Sequence, residues 1–409
     1  MTGSRAARGG ARAACLTACI LAWPHFQAGS KSEASPPVAP AEEIVLGMST
    51  ALTGPASDLG TRMLDGVRAA LDEIGKSGGI HGRTVRVIAL DDGYEPERTG
   101  PNVRRLIDDH HVIALVGDVG TPTAVAALPI ASATGTPFYG AVTGAGLLRK
   151  NPPDHNVVNY RASYAEETRA MIDGLVEKVG IPCAEIAFFT QRDAYGDAGF
   201  AGGLAAMKAH GLASEKAIVH GRYERNTVAV ETAVAEMLLA EPRPRAVVMI
   251  GTYAPCAAFI KLARSNGLEA LFLNVSFVGS HSLLRELGDR GEGVIITQVV
   301  PHFDDELPIV AEYRAAFGAL YPERALGFAS LEGYISTRIL CRALARIDGK
   351  PDRASVILAL EGLGTFDIGL GEPLRLSADE HQACHRVWPT IVRGGTIVPL
   401  DWTTLKRSP

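Results

Sequence analysis

Short apolar runs alternate with segments of helical periodicity along almost the whole chain, and this alternation limits the fold more than any other feature. The run Val-Ile-Ala-Leu-Val at residues 112–116, for example, has the length and composition of a buried strand. The segments between such runs are long enough for the helices that connect parallel strands. The pattern therefore predicts an α/β protein with doubly wound parallel sheets. Because 409 residues are too many for one ordinary core, we expect two lobes.

The predicted elements form two series, and each series is sufficient for one sheet. The first contains strands at 44–48, 85–90, 112–116 and 137–139, with helices at 58–77 and 97–110. The second contains strands at 186–190, 216–219, 246–250, 270–274 and 293–298, with helices at 165–179, 196–210, 227–240 and 254–265. Helices at 307–320, 328–347 and 353–363 follow, and residues 366–400 have the glycine-rich pattern of a hairpin.

The late helices cannot complete a second sheet, so the chain is expected to return to the first lobe near residue 301. We accordingly predict lobe 1 from residues 42–160 plus 301–363, and lobe 2 from residues 161–300 plus 364–409. Three crossings between the lobes would form a hinge, with a ligand held in the cleft between them.

The N-terminal segment has the order of an export signal. Residues 1–28 contain a basic start and a short apolar stretch at 13–23, which predicts a secretory signal peptide, and residues 29–41 predict a flexible leader. The run Leu-Thr-Ala-Cys ending at Cys19 also has the form of a lipoprotein processing site, which would leave Cys19 lipidated. On either interpretation we expect the mature protein in the periplasm.

Several classes of protein are disfavoured by composition and motif content. A formal net charge of -5 at pH 7 argues against nucleic-acid binding. The sequence contains no Gly-x-Gly-x-x-Gly after a strand, no phosphate loop and no Gly-x-Ser-x-Gly elbow, so we predict no catalytic activity and no cofactor. Residues 381–385 offer two histidines and a cysteine without an evident fourth ligand, so no metal site is predicted. The pairing of four cysteines stays open: Cys183, Cys256, Cys341 and Cys384.

Two neighbouring strand ends carry hydroxyl groups among small residues. Thr121 follows the run 112–116 at the start of a predicted helix, and Ala141 and Thr143 follow the run 137–139. The carboxyl ends of neighbouring parallel strands meet at one edge of a sheet, where ligands bind in open α/β folds. Free N–H groups, a helix dipole and two hydroxyls suit a carboxylate or another small anion.

Five short motifs occur in an order that is typical of one family. They are residues 51–56 (Ala-Leu-Thr-Gly-Pro-Ala) with Gly60, residues 78–83 (Gly-Gly-Ile-His-Gly-Arg), Asp91-Asp92, Ala194-Tyr195-Gly196, and residues 330–334 (Ser-Leu-Glu-Gly-Tyr). With them, residues 43–393 resemble the periplasmic substrate-binding proteins of ABC importers, of the leucine/isoleucine/valine-binding type. The resemblance implies the type I periplasmic binding protein fold. It also implies a monomeric extracytoplasmic protein that captures a small ligand by hinge closure and delivers it to an ABC permease at the inner membrane.

The resemblance also implies roles for particular residues. In amino-acid binders of this family, the α-carboxylate meets a hydroxyl after the third strand, here Thr121. It also meets groups after the fourth strand, here Ala141 and Thr143. Aromatic groups of the other lobe close over the ligand, and Tyr195 and Tyr253 match their positions.

The chain departs from the amino-acid pattern at two positions. Family members place an acidic residue after the strand at 270–274 as the partner of the ligand's ammonium, but this chain has Ser276 there. Many relatives place an aromatic ring where this chain has Leu59. A buried ammonium without a carboxylate partner costs several kcal/mol. We therefore expect a small carboxylate or amide that lacks an α-amine. The alternatives are a branched-chain amino acid, or a ligand-sensing protein that reports to a membrane receptor.

Overall fold

The computed structural model describes residues 43–405, and the predicted signal peptide, leader and Cys19 lie outside these residues. Lobe 1 is built on a parallel sheet with the strand order β2-β1-β3-β4-β5. Its strands are β1 (Ile44–Thr50), β2 (Val85–Asp91), β3 (Ala114–Val116), β4 (Phe138–Tyr139) and β5 (Val157–Val158). The connecting helices are α1 (Ser57–Lys76), α2 (Pro96–Asp108) and α3 (Thr121–Ala133).

Lobe 2 has a seven-stranded sheet with the order β14-β13-β10-β9-β8-β6-β7. Its strands are β6 (Ile186–Gln191), β7 (His220–Tyr223), β8 (Ala246–Ile250), β9 (Leu271–Asn274), β10 (Ile295–Gln298), β13 (Trp388–Arg393) and β14 (Thr396–Pro399). The helices are α4 (Tyr164–Asp173), α5 (Ala194–Ala209), α6 (Glu231–Leu239), α7 (Tyr253–Ser265) and α8 (Ser280–Leu287). Strands β6 to β10 are parallel, and the last two strands add an antiparallel hairpin at the edge. The prediction of two lobes with doubly wound sheets is confirmed.

One predicted strand is displaced. The sequence pattern predicts a strand at 216–219, but Glu215–Ala217 forms a 3-10 turn and β7 begins at His220. The pairing of β7 with β6, in which Phe188 faces His220, determines this position. Polar His220 and Arg222 alternate with buried Gly221 and Tyr223 in β7, a pattern with too few apolar residues to be recognised as a strand.

The late helices pack on lobe 1. These helices are α9 (Pro308–Leu320), α10 (Phe328–Leu344) and α11 (Arg353–Glu361). Helices α10 and α1 cross at very short range. A Cβ atom on Gly66, for example, would lie 1.9 Å from the carbonyl oxygen of Ser330. A Cβ atom on Gly333 would lie 2.4 Å from the carbonyl oxygen of Met63. Glycine at both positions therefore allows the two backbones to touch.

After α11, the chain enters lobe 2 later than the predicted boundary at residue 364. Strands β11 (Gly364–Phe366) and β12 (Leu374–Leu376) form a separate hairpin. This hairpin lies with lobe 1, since Ile309 N–H donates to the Gly369 carbonyl (3.4 Å) and the Arg342 guanidinium donates to the Asp367 carbonyl (2.9 Å). The chain joins the sheet of lobe 2 only at β13. The sequence pattern predicted one hairpin where the structure has two, because both contain glycine-rich turns.

Three segments cross between the lobes and lie side by side. The Cys384 N–H donates to the Tyr160 carbonyl (2.8 Å), and the Tyr160 hydroxyl donates to the Val299 carbonyl (3.3 Å). The predicted three-crossing hinge is therefore present. Within residues 43–405, no helix has both the length and the apolar character needed to cross a membrane.

Candidate functional site

A cavity of about 250 Å³ lies between the two lobes, beside the hinge. Lobe 1 contributes the start of α1, Val142 after β4, and the start of α10; lobe 2 contributes residues that follow β9 and β10. The cavity is thus bounded by the carboxyl ends of strands from both sheets, as ligand sites of open α/β folds are. Its walls are mainly apolar and include Leu59, Phe277, Leu284, Val299, Phe303 and Phe328.

The structure brings the two predicted threonines of lobe 1 together. The Oγ1 atoms of Thr121 and Thr143 lie 2.7 Å apart, and both side chains are fully buried. Gly120 precedes Thr121 with a φ of 113°, a left-handed value that glycine accepts without strain. Ala141 is also buried, in the apolar cluster behind the sheet edge. Of these neighbours, Val142 is the residue that lines the cavity.

A layer of aromatic rings, most of them from lobe 2, lies beside the threonine pair. The ring of Tyr195 lies 5.3 Å from that of Tyr164 and 4.7 Å from that of Phe277, and Tyr94 of lobe 1 lies 5.9 Å from Phe277. The Tyr164 hydroxyl approaches Thr143 but, among the described residues, makes no hydrogen bond of good geometry. The Tyr195 hydroxyl donates to the Gly251 carbonyl at 3.3 Å. Tyr195 is therefore placed in the cleft, behind the wall formed by Phe277.

Tyr253 contacts lobe 1 from the opposite side of the cleft. Its hydroxyl lies at the start of α1, beside Ser57 and the backbone of Asp58, and burial raises its pKa. A Cβ atom on Gly279 would lie 3.2 Å from Tyr253 and 3.3 Å from Leu59, so side chains of both lobes pack against Gly279. Tyr253 thus joins the lobes without lining the cavity.

Ser276 is the predicted site residue that lines the cavity. Its N–H and its hydroxyl donate to the Glu167 carboxylate at 2.7 and 2.9 Å, and its oxygen accepts a hydrogen bond from the Arg161 guanidinium. Thr297 also donates to Glu167, at 2.6 Å. Glu167 is therefore an acid fully engaged by hydrogen-bond donors of lobe 2.

Arg161, in the hinge, is the most unusual group at the cavity. Its side chain is 1% exposed and lies 3.6 Å from the carboxylates of both Glu167 and Glu332. Burial alone lowers the pKa of Arg161, but Glu332 and Glu167 raise it above its usual value, so the guanidinium is charged. Among the described residues, its Nε and Nη1 atoms have no hydrogen-bond partner. A buried guanidinium at a cavity wall is suited to binding an anion when two of its nitrogens have no hydrogen-bond partner among the described residues.

The sequence patterns assigned no role to Arg161, Glu167 or Glu332, although Glu332 lies in the motif at residues 330–334. The three residues come from the hinge, α4 and α10, and their numbering gives no sign that they meet.

A second contact between the lobes lies away from the cavity. The Glu95 carboxylate of lobe 1 accepts hydrogen bonds from Arg225 (2.8 Å) and Asn226 (2.6 Å) of lobe 2. Together with the hydrogen bond from Gln191 to the Tyr94 hydroxyl (3.2 Å), it holds the lobes in a closed arrangement.

The cysteines and the histidine-rich segment at residues 381–385 lie outside the walls of the cavity. Cys183, Cys256, Cys341 and Cys384 form no disulfide within the part of the chain that the structure describes. The ring of His381 lies 2.7 Å from the Val157 carbonyl and 3.1 Å from Glu361, which places it in a buried network between neighbouring segments of lobe 1.

Comparisons with known proteins agree with this architecture. Residues 43–396 match the family model described as periplasmic binding protein. The crystal structure of a possible leucine/isoleucine/valine-binding protein from Rhodopirellula baltica SH 1 is 52% identical, with a TM-score of 0.88, over 91% of this chain and 100% of that one. A substrate-binding periplasmic protein from Ralstonia solanacearum is 28% identical, with a TM-score of 0.79, over 88% and 100% of the two chains. Leu/Ile/Val-binding protein homolog 7 of Brucella abortus is 24% identical over 337 residues, which are 78% of this chain and 81% of that protein. The chain belongs to the periplasmic binding protein family.

Proposed function

We propose that this protein is an exported, monomeric solute-binding protein of an ABC uptake system. It captures a small organic carboxylate without an α-amine between its lobes and delivers it, chemically unchanged, to a permease at the inner membrane. The observation that carries the proposal is that Arg161, at the wall of a mainly apolar cavity, has two nitrogens without a hydrogen-bond partner within residues 43–405.

The donors at the cleft favour a carboxylate over a neutral amide. A guanidinium can give a carboxylate two parallel hydrogen bonds, and such charge-assisted bonds are about twice as strong as neutral ones. The hydroxyls of Thr121 and Thr143, at the edge of the lobe 1 sheet, and of Tyr164, from α4 of lobe 2, lie next to one another behind Val142 of the cavity wall. Closure brings these hydroxyls and Arg161 toward one ligand, while Tyr195, Tyr253 and Ser276 close the cleft from lobe 2.

The position of Arg161 disfavours an amino acid. Its guanidinium is bonded to Ser276, where the family resemblance implies the partner of an α-ammonium. Two positive charges about 4 Å apart repel by about 4 kcal/mol at an effective dielectric constant of about 20. The nearest acid in lobe 2, Glu167, already accepts three hydrogen bonds from Ser276 and Thr297.

A branched-chain amino acid is the second candidate, and Glu332 favours it. This carboxylate lines the cavity from lobe 1, and its recorded partner is Arg161 at 3.6 Å. It could therefore accept an ammonium. Leucine-type binding also matches the descriptions of the Rhodopirellula and Brucella relatives.

Calorimetric titration with ligands that share one side chain separates these candidates. The series is leucine, 4-methylpentanoate (leucine without its amine) and 4-methylpentanamide, with benzoate as an aromatic acid. We expect 4-methylpentanoate or benzoate to bind at least about 30-fold more tightly than leucine and the amide, because the repulsion disfavours leucine and the loss of the charged pair disfavours the amide, each by more than about 2 kcal/mol. Tightest binding of leucine, or no binding of either acid, contradicts the proposal.

A further inference from the structure

Glu332 and Glu167 flank the same guanidinium, but they differ in the hydrogen bonds that their carboxylates accept. Within residues 43–405, no group donates a hydrogen bond to the Glu332 carboxylate, and its contact with Arg161 Nε, at 3.6 Å, is longer than a hydrogen bond. Glu167 instead receives the N–H and hydroxyl of Ser276 and the hydroxyl of Thr297. Hydrogen bonds to a carboxylate favour its charged form, so Glu332 is the carboxyl of the pair that accepts a proton at lower cost.

A ligand carboxylate at Arg161 changes the local charge. Without it, two carboxylates surround one buried guanidinium; with it, three negative groups would do so. An uncompensated buried charge raises the free energy of the folded protein, so a buried carboxylate in that position takes up a proton and becomes neutral. Burial already raises the pKa of Glu332, and the negative charge of Glu167 opposes its ionisation further.

We propose that Glu332 takes up one proton from solvent when the ligand carboxylate binds, and that its neutral carboxyl then donates a hydrogen bond to the ligand. The inference rests on the proposed function, since it requires a carboxylate ligand at Arg161. It makes Glu332 a specificity-determining residue: an O–H donor opposite a guanidinium matches a carboxylate, and an amide cannot bring about this proton uptake.

Other charged groups face this region and must be distinguished from Glu332. Arg161, Glu167 and Arg149 act on the carboxyl directly. Other titratable side chains line the same cavity: Asp58, Arg62, His281, His302 and Asp304. Of these, His281 is a rival proton acceptor, because burial lowers its pKa and an entering anion would raise it again.

Proton uptake is measured by calorimetry in buffers of different ionisation enthalpy, at about pH 8, with whichever of 4-methylpentanoate and benzoate binds more tightly. We expect the wild type to take up about one proton per ligand, and its affinity to fall about tenfold for each unit rise in pH. Glu332→Gln should bind with uptake near zero. His281→Gln and the exposed control Glu323→Gln should keep the wild-type value.

The outcomes separate the two proposals. Carboxylate binding without proton uptake overturns the role of Glu332 and leaves the proposed function standing. Proton uptake that disappears in His281→Gln has the same two consequences. Failure of both acids to bind the wild type overturns both. If Glu332→Gln does not fold, infrared difference spectra of the wild type decide: a protonated carboxyl stretch should appear on addition of the acid, and its absence contradicts the inference.

Discussion

Replacing Arg161 by Met is expected to lower the affinity for the carboxylate ligand at least about 100-fold. Methionine keeps much of the volume but removes the two guanidinium nitrogens that have no hydrogen-bond partner among the described residues. The loss corresponds to about 3 kcal/mol, the upper value for a hydrogen bond to a charged group. Titration with the acid that binds the wild type, together with thermal unfolding, measures the effect.

The same substitution should destabilise the fold. It leaves Glu167 and Glu332 buried without their cation, and breaking a buried pair in this way costs about 3–5 kcal/mol. The double variant Arg161→Met, Glu332→Gln is the matched control, because it removes one carboxylate with the guanidinium. It should recover part of the lost stability and still fail to bind the acid. Near wild-type affinity in a folded Arg161→Met protein would exclude Arg161 from the site.

The double substitution Thr121→Val, Thr143→Val should weaken ligand binding about 10- to 100-fold and leave the protein folded. The two hydroxyls bond each other at 2.7 Å, so replacing both by groups of the same shape removes a hydrogen bond without orphaning either partner. The double substitution does remove one further hydrogen bond, which the Ala145 N–H donates to the Thr143 hydroxyl (3.2 Å). Binding then loses two ligand contacts of about 1 kcal/mol or more each.

A matched pair of hydroxyls at the other end of α3 provides the control. The Oγ1 atoms of Thr134 and Thr136 lie 2.8 Å apart. Neither residue lines the cavity, so the variant Thr134→Val, Thr136→Val should leave affinity at the wild-type value. Unchanged affinity in Thr121→Val, Thr143→Val would remove the threonine pair from the site.

Local sequence patterns predicted the sheets because each strand and helix carries its own periodicity. The run at 112–116 contains β3, and Thr121 begins α3 as its position before Pro122 indicates. The approach of Thr121 to Thr143 also follows from local patterns, since parallel neighbouring strands bring their ends to one edge.

Contacts between distant segments were beyond such reasoning. Arg161, Glu167 and Glu332 meet only after the hinge, α4 and α10 are in place. The ring of Tyr94 reaches the cleft through a left-handed backbone, with a φ of 65°, which no periodicity indicates. The hairpin at 364–376 joins lobe 1 through contacts with α9 and α10, so the boundary depended on tertiary packing.

The central claim is that the cleft holds an organic acid without an amine, through Arg161 and the threonine pair. Mass spectrometry of the small molecule that copurifies with the native protein tests it most directly. A monocarboxylic acid with an apolar tail and no amino group is the predicted result. Recovery of leucine, isoleucine, valine or another amine-bearing molecule would contradict the account.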